Sequence, residues 1–142
     1  MKYAKISNVI YDIGAHVGYY TLLASRFTPL NGKVIAFEPL SRNILVLRKH
    51  VEINNISNVT IIEEAVSNKT GKTLFTNCSN DVANTICKSS PMFQFGESIE
   101  VNTNKLDDLL LNGELLPPQL IKMDIEGAEY DALRGAELLL RR

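Results

Sequence analysis

Apolar residues along this chain fall into short unbroken runs that alternate with stretches of helical spacing. Asn8-Val9-Ile10-Tyr11-Asp12-Ile13 is β-branched and apolar and stops at Gly14, the pattern of a buried strand emptying into a turn. From Tyr19 to Phe27 the spacing turns helical. Lys33-Val34-Ile35-Ala36-Phe37 reads as a second buried strand, preceded by Asn31-Gly32 and closed by Glu38-Pro39, because proline cannot continue a central strand. Ser41 suits an N-cap, and Ile44, Leu47 and Val51 follow at helical spacing to about Asn54. A turn from Asn55 to Asn58 leads into a third strand, Val59-Thr60-Ile61-Ile62. Short strands alternating with helices of this length predict right-handed βαβ crossovers and a parallel sheet.

Between Ser67 and Glu97 the chain is rich in Asn, Ser, Thr, Lys and Gly, and only Thr73–Thr76 and then Ile99–Thr103 look extended. This predicts a surface hairpin or insertion over about residues 67–104. Beyond it, Lys105 to Leu111 reads as a short helix, Pro117-Pro118 as a stiff linker, and Leu120-Ile121-Lys122-Met123-Asp124 as a fourth parallel strand. A last helix is expected from about Glu126 to Leu140, with Ala128, Ala132, Leu133, Ala136 and Leu139 on its buried face. The fold class is therefore α/β: one domain over 1–142 with a Rossmann-like, doubly wound, mostly parallel sheet.

Composition fits one domain with a single core, and a formal net charge of -1 gives no electrostatic signal for nucleic acid or an anionic membrane as partner. Cys78 and Cys87 sit in no zinc-ligand spacing and are read as reduced thiols. No apolar run approaches the roughly 18 residues of a membrane span, and Met1-Lys2-Tyr3-Ala4-Lys5 lacks the apolar stretch of a signal peptide, so the cytoplasm is the expected location.

The first chemical signal is Asp12-Ile13-Gly14-Ala15-His16-Val17-Gly18, an acid at a strand end followed by a Gly-x-x-x-Gly turn that opens a helix. Glycines there permit a tight turn and close ligand approach, and the helix N-terminus offers free N–H groups to an anion. In a ligand with an amino-acid tail, that anion would be its carboxylate. Asp12 is placed to meet the ligand's ammonium, directly or through water, or to brace the loop. Glu38 ends the second strand about 20 residues after Gly18, where a carboxylate can accept hydrogen bonds from both ribose hydroxyls of an adenosine-type ligand. The turn lacks Gly-x-Gly-x-x-Gly, which favours a ligand without a pyrophosphate over NAD. Beyond the third strand, Glu63-Glu64-Ala65-Val66 reaches the same rim; adenine would sit here, with Glu64 either accepting from its exocyclic amine or standing as a solvated loop carboxylate. The candidate cofactor contacts are thus Asp12, Gly14, Ala15, Gly18, Glu38, Glu64, Ala65 and Asp124.

Lys122-Met123-Asp124-Ile125-Glu126-Gly127-Ala128-Glu129 places three carboxylates where the fourth strand meets the last helix. Asp124 faces the reacting end, whereas Glu126 and Glu129 either serve the site or complement the helix dipole. Lys122 either pairs with one of these acids or extends its ammonium to solvent. Asp124 is the first candidate base and His16 the second; a divalent cation held by the carboxylates ranks below a metal-free site.

Three stretches together resemble the FkbM family of methyltransferases: Tyr11-Asp12-Ile13-Gly14-Ala15-His16-Val17-Gly18-Tyr19-Tyr20-Thr21, Ala36-Phe37-Glu38-Pro39, and Ile121-Lys122-Met123-Asp124-Ile125-Glu126-Gly127-Ala128-Glu129. The likeness extends over the polar middle and Leu106-Asp107-Asp108-Leu109. It implies the class I methyltransferase sheet, S-adenosyl-L-methionine as cofactor, and O-methylation of a hydroxyl on a sugar or small natural product. It carries Gly14, Gly18 and Glu38 over as cofactor contacts and Asp124 to the mouth of the site. Against that family pattern the chain is expected to be short at both ends and to lack the C-terminal strands. The fourth strand is then an uncovered edge that a second copy can pair with. The rival reading is a truncated, non-catalytic nucleotide-binding or assembly module that keeps the cofactor pocket.

Overall fold

In the computed structural model, residues 3, 8–29, 31–78, 85–86 and 96–141 are described. Most of the opening segment and Cys87, both read above, lie outside the described residues, as does the side chain of Cys78. The first half follows the apolar pattern closely: β1 (Val9–Ile13), α1 (Tyr19–Phe27), β2 (Lys33–Phe37), α2 (Ser41–Ile53) and β3 (Val59–Ile62). Next come β4 (Ala65–Val66), β5 (Gly71–Cys78), β6 (Thr85–Ile86) and β7 (Gly96–Asn104). The chain continues through α3 (Leu106–Leu111), β8 (Leu120–Met123), α4 (Glu129–Arg134) and α5 (Glu137–Leu140).

Strands β3, β2, β1 and β8 form one sheet in that order, every pair parallel. All of β1 is buried, and its residues sort by parity as a pleated strand requires. Val9, Tyr11 and Ile13 face a core shared with Phe37, Leu106, Leu109, Ala132, Ala136 and Leu139, so α3, α4 and α5 cover that side. Ile10 points the other way, to Ala24 of α1 and Val34, while Ala36 packs with Leu47 of α2. Tyr11 is held edge-on to Phe37 with ring centroids 5.5 Å apart and donates its hydroxyl to the Leu116 carbonyl at 2.7 Å. Burial pushes its phenol up to about 12. Among the described residues β8 is the outer strand on its side of the sheet, and its residues are half-buried. No helix among the described residues is long and apolar enough to cross a membrane.

Three expectations need correction. The polar stretch 67–104 does fold back as an antiparallel pair, β5 with β7, but with β4 and β6 it builds a second four-stranded sheet. Phe75 and Val101 of that sheet are buried with Leu40 and Ala65, so the segment shares a core with the first half of the chain and is not confined to the surface. Ser41 is not the cap of α2 but its first residue; Leu40 is the cap, and the Glu38 carboxylate accepts its N–H at 3.0 Å. The single last helix is two short ones. It starts at Glu129 because Glu126 (φ 51°) and Gly127 (φ 92°) adopt left-handed backbone. It breaks at Gly135, where the backbone of Ser67 presses in: a Cβ on Gly135 would stand 2.0 Å from the Ser67 carbonyl oxygen. The buried carboxylate of Asp107 then restarts it, accepting the N–H groups of Leu138 and Leu139 at 3.0 Å each.

This contact generates a stability contrast. Gly113 has φ 72° and open space around it, so Gly113→Ala meets only the left-handed backbone penalty of about 1–2 kcal/mol. Gly135→Ala meets an immovable backbone oxygen and is expected to cost about 3 kcal/mol or more. Urea unfolding of the two variants checks the order; equal losses would overturn the packing role assigned to Gly135.

Candidate functional site

The C-terminal ends of β1, β2 and β8 meet the β3–β4 connection around a cavity of about 360 Å³. Its position is that expected for a ligand in an open α/β sheet, where strands of adjacent βαβ units diverge. The turn after β1 forms one wall. Gly14 (φ 77°), His16 (φ 52°) and Gly18 (φ 96°) all take left-handed backbone, and the N–H groups of Gly14 and Ala15 both donate to the Phe37 carbonyl at 3.0 Å. A Cβ on Gly14 would stand 2.1 Å from the carbonyl oxygen of Asp124, so this glycine admits the chain leaving β8. Gly14 and Ala15 line the cavity. Gly18 does not: it faces Leu47, whose Cδ1 would lie 2.3 Å from a Cβ there, and its role is close packing of α1 on α2.

Glu38 sits at the cavity wall only 4% exposed. Its Oε2 accepts the His16 N–H at 2.9 Å, and its Oε1 accepts the Leu40 N–H and the Asn43 side-chain amide at 3.0 Å each. An ionised carboxylate offers about four acceptor positions. Three are filled by the protein, which leaves one on Oε2.

Asp12 stands behind the turn rather than in it. It is buried, does not line the cavity, and accepts the Thr21 hydroxyl on Oδ2 at 2.6 Å. Its Oδ1 lies 3.1 Å from Lys122 Nζ, an ion pair without the angle of a hydrogen bond. Of the roles open to Asp12 in the sequence, bracing is the one the geometry supports. Lys122 donates to the Gly14 carbonyl at 3.0 Å, rests 5.0 Å from the Tyr20 ring centroid, and does line the cavity.

Opposite the turn the wall is apolar: Pro39, Leu40, Ala65 and Phe75. Glu64 lines this side too and accepts a hydrogen bond from Asn104 on one oxygen, leaving the other open. Phe75, Asn43 and Lys122 were not singled out as site residues in the sequence. Phe75 faces inward from β5 while its neighbour Leu74 is exposed, a difference that two adjacent apolar residues do not show in the sequence. At the mouth lie His16, Asp124 and Glu126, all exposed lining residues. Glu129 turns away from the cavity. It accepts the Ile125 N–H at 3.1 Å, and backbone N–H groups of Glu129 itself, Ile125 and Gly127 hold its carboxyl below the usual range. Among the described residues no group of three or more His, Cys, Asp and Glu side chains is arranged to hold a metal ion.

A family model described as the Methyltransferase FkbM domain matches residues 12–142. A curated relative named Methyltransferase 1, from Beauveria bassiana (strain ARSEF 2860), is 26% identical over 147 residues; the match takes in 90% of this chain and 58% of that protein. The chain thus spans less than two thirds of that relative's length. The crystal structure of Methyltransferase FkbM from Methylobacillus flagellatus KT shares the fold with a TM-score of 0.59 and 22% identity, over 94% of this chain and 30% of that one.

The Glu129 contacts give a pH dependence with a definite sign. A carboxyl whose pKa is lowered by folding contributes stability that is present above its unfolded value, near 4.5, and is lost as pH falls through the folded value. Urea unfolding of wild type and Glu129→Gln is expected to show wild type more stable at neutral pH, with the gap closing below about pH 4. A gap that stays constant down to pH 3 would overturn the role of the charge.

Proposed function

The chain belongs to the Methyltransferase FkbM domain family, and from that premise we propose that it works as an S-adenosyl-L-methionine-dependent methyltransferase acting on a hydroxyl of a sugar or small natural product. The observation that carries this reading is Glu38: a buried carboxylate with one acceptor position left, set in a cavity between a glycine turn and an apolar wall. The donor set fits the cofactor. Glu38 Oε2 would accept from a ribose hydroxyl, Leu40, Ala65 and Phe75 would receive the adenine, and the second oxygen of Glu64 would accept from its exocyclic amine. The absence of Gly-x-Gly-x-x-Gly from the turn after β1 disfavours a pyrophosphate.

When bound, the cofactor supplies a methyl group on a positively charged sulfur, which leaves readily in an in-line displacement. The protein's task is then to align the acceptor oxygen and exclude water. Asp124 at the mouth takes the hydroxyl proton, with His16 the neighbouring alternative. No metal is required in this scheme.

Calorimetric titration of S-adenosylhomocysteine and NAD tests the pocket. The expected result is binding of the first in preference to the second, weakened about tenfold or more in Glu38→Gln, the loss of one hydrogen bond to a charged group. Preference for NAD would overturn the reading. In a methyl-transfer assay over hydroxyl acceptors, Asp124→Asn is expected to lower kcat by about 100-fold or more, a larger factor than its effect on S-adenosylhomocysteine affinity. Cofactor binding without transfer to any hydroxyl would identify the chain instead as a non-catalytic cofactor-binding module.

A further inference from the structure

Resting on the cofactor reading above, we propose that Lys122 is the binding residue for the carboxylate of the cofactor's amino-acid tail. A half-buried lysine on a strand needs a reason, because an ammonium withdrawn from water is costly unless its charge and its donors are matched. The charge of Lys122 is matched by Asp12, its cross-strand neighbour on β1, with Nζ and Oδ1 3.1 Å apart. The donors are not all used. One N–H goes to the Gly14 carbonyl at 3.0 Å, and Asp12 Oδ1 makes no directed hydrogen bond, so an ammonium with three N–H groups keeps at least one for a ligand. The side chain is 26% exposed, and the face it exposes lines the cavity.

What surrounds that free donor suits an anion. Helix α1 begins at Tyr19 with Gly18 as its cap, has no side-chain cap and no acid in its first turn. Leu22 is the first residue whose N–H finds an intrahelical carbonyl, that of Gly18, so the N–H groups before it are without intrahelical acceptors beside the same turn. Tyr20, in that first turn, lays its ring 5.0 Å from Nζ and keeps the ammonium over the cavity side of Gly14. Because Asp12 already offsets most of the lysine charge, the place is suited to a singly charged carboxylate held by one ammonium donor and the helix terminus, and poorly suited to a doubly charged phosphate.

Ligands that differ only in the tail test this. S-Adenosylhomocysteine carries the carboxylate, whereas 5′-methylthioadenosine shares the adenosine and the thioether but has no amino-acid tail. By calorimetry, Lys122→Met is expected to lower affinity for S-adenosylhomocysteine about tenfold or more and leave 5′-methylthioadenosine unchanged, with Lys122→Arg recovering much of the loss. Lys122→Gln, which keeps a neutral donor for the Gly14 carbonyl, is the second variant in case the methionine leaves Asp12 unbalanced and the fold suffers. It is expected to show the same selective loss. Equal weakening of both ligands would make Lys122 a brace for the turn and overturn the proposal alone. Wild-type protein that binds neither thioether would overturn the cofactor reading and this inference together.

Discussion

A carboxylate buried at the end of a central strand must have its charge met by donors, and at Glu38 those donors come from three different parts of the chain. The His16 N–H belongs to the turn after β1, the Leu40 N–H to the cap of α2, and the Asn43 amide to the first turn of that helix. Removing any one would leave part of a buried charge unmatched, so the positions of the glycine turn and of α2 are set together. Leu40, held in this way, presents its side chain to Ala65, Phe75 and Val101 and thereby ties the second sheet to the first. The polar group that a ligand would meet and the apolar surface that it would lie against are fixed by the same side chain.

A second acid, Asp12, does the reverse. It is buried one layer behind the turn and holds Thr21 of α1 and Lys122 of β8, so that its effect on the cavity is transmitted through its partners. The two glycines of the motif divide in a similar manner. Gly14 makes room for the main chain of Asp124, and Gly18 for the side chain of Leu47. Both owe their identity to close approach by the protein itself, a requirement that a glycine pattern cannot distinguish from close approach by a ligand.

The first sheet was legible because its central strands β1 and β2 are buried almost throughout and all four strands read as short apolar runs; the bounds of β2, α1 and β3 match that pattern. Glu38, Gly14 and Ala15 were legible because their spacing from a strand end determines which rim they reach. Contacts between segments distant in sequence left no comparable trace. The break at Gly135 is made by Ser67, the restart of the helix by Asp107, and the apolar wall by Phe75 from a segment whose composition is that of a surface loop. Lys122 read either as a partner of Asp124, Glu126 or Glu129 or as an ammonium reaching solvent, and its actual surroundings, Asp12, Gly14 and Tyr20, each come from an earlier part of the chain.

The cavity draws its walls from two sheets, with Phe75 contributed by the second and Gly14 and Glu38 by the turn and strand of the first. A molecule that binds only the assembled cavity therefore adds its own binding free energy to the cohesion between those sheets. Occupancy acts as a mortar. Local opening of the β5–β7 ribbon becomes rarer in proportion to ligand concentration, and the exchange of its amide hydrogens slows by the same factor wherever that opening must first release the ligand.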